Sequence, residues 1–357
     1  MSAATAEDPI HVLNPEERAG LQRVARGAVL RAVFAGVLNA IATGLVDVYA
    51  SQRFGPHTAL PEWHERAPYW LVFGTGAVVF AVIEVAYLGW DGLRSVTRLS
   101  AVAGLQLDRE DGEEIALALA RAALELPNPP EPVMGVNPHR EASRLHLVFA
   151  SAAYKLKISV TNFIFKQVVA GVLPRIASRY LLAFTAIPIN GLWNGLVCWA
   201  VLREARIRVM GPSAAVEMLS VVLPDGRAPS PELAAALHRA VASCVVRTRE
   251  LHPNHIAMLR ALRERIGDPA PGLELDRSDL FLRSLPSLSL AERRAVLRVL
   301  AVAAILDGRL VRPERRLLAQ AYDVAEVPSG LRQVRKLRRA FVSGDVISPE
   351  ELRAVAS

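Results

Sequence analysis

Cysteine is nearly absent from this chain. Only two occur in 357 residues, Cys198 in an apolar run and Cys244 in a helical pattern. Two distant cysteines argue against a disulfide framework and against a cysteine-based zinc site. Catalytic signatures are missing too. There is no G-x-S-x-G and no P-loop, and His64-Glu65 lacks the second histidine of a zinc protease. Gly74-Thr75-Gly76 sits inside an apolar run, where helix packing explains it better than phosphate binding. His252-Pro253-Asn254-His255 has no third ligand at metal spacing and reads as a capped helix start. The opening MSAATAEDPIHVLNPEERAG is polar and acidic, so no cleavable signal peptide fits it. The expectation is a protein that is not an enzyme.

What is abundant is apolar surface. Hydrophobic residues make up 52% of the chain, and they concentrate before residue 210. The net charge is +7, nearly all of it from arginine. Arginine together with much alanine reflects a GC-rich coding sequence as readily as a polyanion partner, so no nucleic acid is expected. By composition the chain divides into 1–27, a helix start; 28–92, a transmembrane hairpin; 93–141, a helix and a proline-rich linker; 142–211, apolar membrane-associated helices; and 212–357, a helical domain.

Asn14-Pro15-Glu16-Glu17 opens the first helix with an N-cap, a proline at the first position and a capping glutamate. Residues 29–50 and 67–90 then carry apolar runs close to the ~20 residues that cross a bilayer. Gly36, Ala40 and Gly44 recur every four residues and invite close helix approach. Tyr49, Trp63, Tyr69 and Trp70 gather at one end of the pair, with Tyr87 and Trp90 at the other, as in an aromatic belt. Arg18, Arg23 and Arg26 precede the first run, and Arg94 and Arg98 follow the second. Both ends of the hairpin are therefore expected in the cytoplasm. Arg31 and Glu84 fall at similar depth, which predicts an intramembrane ion pair; the alternative is a relay through Glu84 in an ion or solute transporter.

In the middle of the chain, Lys155 and Lys166 lie on one face of an apolar stretch, as in a basic helix resting in headgroups. Arg175 and Arg179 precede the uncharged run 180–202, and Arg203, Arg206 and Arg208 follow it. Lys155, Lys166, Arg175, Arg179, Arg203 and Arg206 are the expected membrane-surface cations. Cations at both ends, with Pro188, Asn190 and Gly191 between, predict a re-entrant hairpin; a third span is the alternative. In 331–342, Leu331, Val334, Leu337 and Phe341 share one face and five cations cover the other, suited to anionic lipid or an acidic partner helix.

From Gly211 onward no strand alternation persists, and an internal repeat appears. D-G-R-x-x-x-P-E occurs at Asp225 and again at Asp307. Asp-Gly ends a helix, with glycine in the left-handed position, and Pro-Glu starts the next. Ser230 and Ser348 are expected N-caps.

A helix running into A-x-x-x-D-G, with the glutamate seven positions past the aspartate and the pattern recurring about eighty residues apart, resembles the TerB-like domain of tellurite-resistance and DnaJ-like membrane proteins. The resemblance covers roughly residues 214–327. It implies an all-α domain on a bacterial inner-membrane protein. It also implies that Asp225, Glu232, Asp307 and Glu314 approach one another as a divalent-cation site, for calcium or magnesium; the residues themselves favour a helix corner, since each Asp-Gly is followed by an arginine, Arg227 or Arg309, and neither loop has an EF-hand run. Its implied role is partner binding in envelope or metal-stress responses. The expected partners are the bilayer and a protein or second copy of the chain. The overall expectation is an all-α protein.

Overall fold

The computed structural model describes residues 10, 13–55, 62–102, 132–140, 179–223 and 229–357. All regular elements among them are helices. They are α1 (Pro15–Phe54), α2 (Trp63–Val102), α3 (Arg179–Val222), α4 (Pro231–Thr248), α5 (Pro253–Ile266), α6 (Ser278–Ser284), α7 (Leu290–Leu306), α8 (Arg312–Val324), α9 (Leu331–Ser343) and α10 (Pro349–Arg353). The chain forms two units. A hairpin unit holds 20–102 and 144–203; a C-terminal unit holds 1–19, 103–143 and 204–357. The expected helix at 107–126, the stretch 143–178 and the Asp225 corner lie outside the described residues.

In the hairpin unit, α1 is the central element. Five of its buried positions, Ala28, Ala32, Gly36, Ala40 and Gly44, are small and four apart. That spacing draws a stripe along the helix on which a neighbour can seat closely. A Cβ on Gly36 would lie 2.6 Å from the Asn190 carbonyl oxygen of α3. A Cβ on Gly76 would lie 2.8 Å from Val46. Small residues thus set both the α1–α3 and the α1–α2 approach. The re-entrant turn expected at Pro188–Gly191 is not formed: the chain passes through it as one helix, α3. Gly191 and Gly195 are used there as packing sites against Val33 and Val37, not as turn residues.

The outer faces of this unit are apolar. Phe34, Leu71, Val82, Ile83, Leu192 and Trp199 are exposed. The most apolar stretch of α2 buries none of its residues. By length and composition α1 and α2 are each long and apolar enough to cross a membrane.

The C-terminal unit has a conventional water-excluded core. Its centre is α7, in which nearly every residue from Val296 to Leu306 is buried. A helix apolar all round must be enclosed on all sides, and α4, α5, α8 and α9 pack against it. The last part of α3 joins this core through Ile207, Met210, Met218 and Leu219. The unit therefore begins eight residues before the boundary at 212 that hydropathy suggests. The first residues of the chain join it as well: Ile10 bridges to Ile347, and Arg18 pairs with Asp345 at 2.9 Å. Part of the proline-rich linker also folds down here. Met134 and Gly135 take positive φ in a tight turn between Val133 and Val136, and Arg263 donates to the Met134 carbonyl at 3.0 Å.

Candidate functional site

The D-G-R corner is built as its residues dictate. α7 ends at Leu306, and Gly308 takes φ +69°, the left-handed conformation that glycine adopts without strain. The Arg309 amide donates to Asp307 Oδ1 at 2.8 Å. Pro313 lies in the first turn of α8, and the Glu314 carboxylate accepts the Val311 amide at 2.9 Å. The glutamate caps the helix it starts. Asp307 is 3% exposed and Glu314 1%.

Other helices close the carbonyl end of α7. Asn254 Nδ2 donates to the carbonyls of Leu306 at 2.6 Å and Ile207 at 3.0 Å. His255 Nε2 donates to the Ala303 carbonyl at 2.9 Å. His252 is the N-cap of α5: its Nδ1 accepts the Asn254 amide at 3.2 Å. With Nδ1 an acceptor, the ring proton sits on Nε2, which faces Glu204 Oε1 at 3.2 Å. Glu204 also meets Arg208 at 3.2 Å and Arg309 at 3.4 Å, and Arg309 reaches Glu250 at 2.8 Å.

Charge follows from burial. Burial pushes both His252 and His255 below the ordinary imidazole value, His255 to about 4, so both rings are neutral near pH 7. Burial alone would raise Glu204. The His252 hydrogen bond and the nearby Arg309 and Arg208 outweigh it and hold Glu204 at about 2. Burial raises Asp307 above the carboxylate range. Burial and then repulsion from Asp307 raise Glu314. Burial keeps Cys244 a thiol, which makes it an inert core residue.

The four carboxylates of the repeat have different fates. Asp225 lies outside the described residues. Glu232 is exposed in the first turn of α4, behind the Ser230 cap. Asp307 and Glu314 are buried at the second corner. Among the described residues, no three His, Cys, Asp or Glu side chains group so as to hold a metal ion. One oxygen each of Asp307 and Glu314 is committed to a backbone amide, and the Arg309 guanidinium acts on both carboxyls. Burial favours the protonated form of both. Asp307 and Glu314 thus both serve the second helix corner.

In the hairpin unit the expected Arg31–Glu84 pair is not formed. Arg31 bonds Asp91 at 2.9 Å and Ser95 at 3.2 Å. Glu84 accepts Asn39 Nδ2 and Asn194 Nδ2, each at 2.6 Å. The reason is register. Gly20 with Val102, Arg31 with Asp91, Asn39 with Glu84, and Val46 with Gly76 all have residue numbers adding to 122 or 123. Pairing Arg31 with Glu84 would slide α2 by seven residues, about two turns.

The expected membrane-surface cations also divide. Lys155, Lys166, Arg175 and the Arg179 side chain lie outside the described residues. Arg203 is half-buried. Arg206 is not a surface cation: it is half-buried and donates to the Val342 carbonyl near the end of α9. The 331–342 helix likewise spends its apolar face inside the domain, with Val334, Leu337 and Phe341 buried.

Sequence reading missed Asn39, Asn194, Asp91, Glu204 and the His252 bond. Asn39 and Asn194, polar residues within apolar runs, were the available signal. No family model, no curated protein and no solved structure matches this chain.

Proposed function

We propose that this chain is a non-enzymatic bacterial inner-membrane protein. In this reading α1 and α2 anchor it, and its C-terminal helical unit, TerB-like in its D-G-R corner, presents a cytoplasmic surface to a partner in an envelope or stress response. The observation that carries the reading is the contrast between the units. One has a closed apolar core; the other turns its largest apolar side chains outward along helices of membrane-spanning length. In water that much outward apolar surface is unfavourable, while in hydrocarbon it costs nothing.

Carbonate extraction of membranes containing the full chain tests it. The protein is expected to stay in the pellet, and single cysteines placed in 56–61 are expected to label from the outer side only. Release into the supernatant sinks the reading.

One observation favours a transport role as the alternative: Glu84 is held between amides from two other helices. Glu84→Gln separates the two. Asn39 Oδ1 is buried with no partner, so a flipped Asn39 can accept from the new amide and the fold is expected to survive. Loss of ion flux in proteoliposomes with folding intact would favour transport.

A further inference from the structure

We propose that the C-terminal unit binds the phosphate headgroups of an anionic bilayer in two adjoining clefts along α9. The proposal rests on the membrane reading above. One cleft is lined by Arg332, Arg335, Lys336 and Arg339. The other is lined by Arg315, Arg335, Arg338 and Arg339, with Leu310 as its apolar wall. No carboxylate lines either cleft.

The sequence forces this crowding. Arg332, Arg335, Lys336 and Arg339 are three or four residues apart, so they stand on one face, where like charges repel. Their neighbours relieve little of this. Lys336 pairs with Glu351 at 2.5 Å, and Arg338 donates to the Gly308 carbonyl at 3.2 Å. Arg332, Arg335 and Arg339 are exposed and have no ion pair among the described residues. The Nε atoms of Arg315 and Arg338 are buried without a partner.

Planar guanidinium forks match phosphate oxygens two at a time. The clefts are open, which suits headgroups on a surface better than an enclosed small molecule. The apolar face of α9 is taken by the domain core, so the helix offers lipid its cations and not its hydrocarbon. The clefts are also part of the same chain as α1 and α2, which keeps a bilayer at high effective concentration.

The test uses the full chain in lipid nanodiscs, with phosphatidylcholine alone or mixed equally with phosphatidylglycerol. The readout is hydrogen exchange of Leu331–Ser343. In anionic discs these amides are expected to exchange about tenfold more slowly. The protection is expected to vanish near 1 M salt, where the screening length is about 3 Å. It should also vanish in Arg335→Glu/Arg339→Glu, while the amides of α7 exchange as in the parent and report an intact fold. Equal exchange in the two discs overturns the proposal. So does protection that appears only when inorganic polyphosphate or polyglutamate is added to neutral discs, since the site then serves a soluble anion. A chain that enters neither disc overturns the membrane reading, a distinct failure that takes this proposal with it.

Discussion

His255 shows how a single buried ring sets the response to acid. Unfolded, it binds a proton below pH 6.5; folded, only below about 4. Between those values the unfolded chain holds more protons, so stability falls as pH drops through the window. The fall is of order 3 kcal/mol, and it is complete near the lower value. Glu204, held at about 2, adds a loss as pH falls below 4.5. Asp307 and Glu314 act with opposite sign: their raised values favour the folded state at low pH and lose that benefit as pH rises. The clean measurement is therefore a difference between variants. His255→Gln can still donate to the Ala303 carbonyl but cannot titrate. Its urea midpoint is expected to drop less between about pH 7 and about pH 5 than the parent's; an equal drop would assign the acid loss elsewhere. The sequence showed His252 as a helix cap because the cap is local. It could not show that His252 reaches Glu204, 48 residues away.

At the scale of helices, ends were legible and pairings were not. Ser230, Ser289 and Ser348 each cap with a hydroxyl to the amide three residues on. Such signals lie within four residues and read directly from sequence. Helix register does not, because an apolar run of twenty residues packs equally well one turn up or down. The polar pairs fix it. Exchanging Arg31→Asp with Asp91→Arg is expected to restore the folded protein that either single change loses, by about 3 kcal/mol for an uncompensated charge. Arg31→Asp with Glu84→Arg is expected to restore nothing; rescue there would refute the register. Gly36 and Gly89 make a second contrast. Alanine at an open helical glycine gains roughly 0.5–1 kcal/mol, and Gly89 has nothing near it. At Gly36 the methyl would strike α3 backbone, and overpacking of about 1–3 kcal/mol outweighs the gain. Thermal midpoints in detergent should move in opposite directions.

For the whole molecule, composition located the two kinds of surface but not the membership of the units. Residues before α1 read from composition only as a polar helix start, yet Ile10 and Leu13 are 4% and 3% exposed within the C-terminal unit. Deleting residues through Leu13 is expected to lower the unfolding free energy of that unit, measured by urea titration, by about 3 kcal/mol, the lower end for two lost apolar side chains. An unchanged midpoint would make the N-terminal contact incidental.

The Arg18–Gly344 bond spans 326 positions of the chain. Ribosomes add about 5–20 residues per second, so Arg18 waits about 16 to 65 s for its partner to be made. Throughout synthesis of α1, α2 and α3, the polar start of the chain has nothing of its own to dock on. The C-terminal unit can close only once Gly344 has emerged, long after α1, α2 and α3 are made. Until then the first residues are open to whatever chaperone or insertion machinery the nascent chain meets.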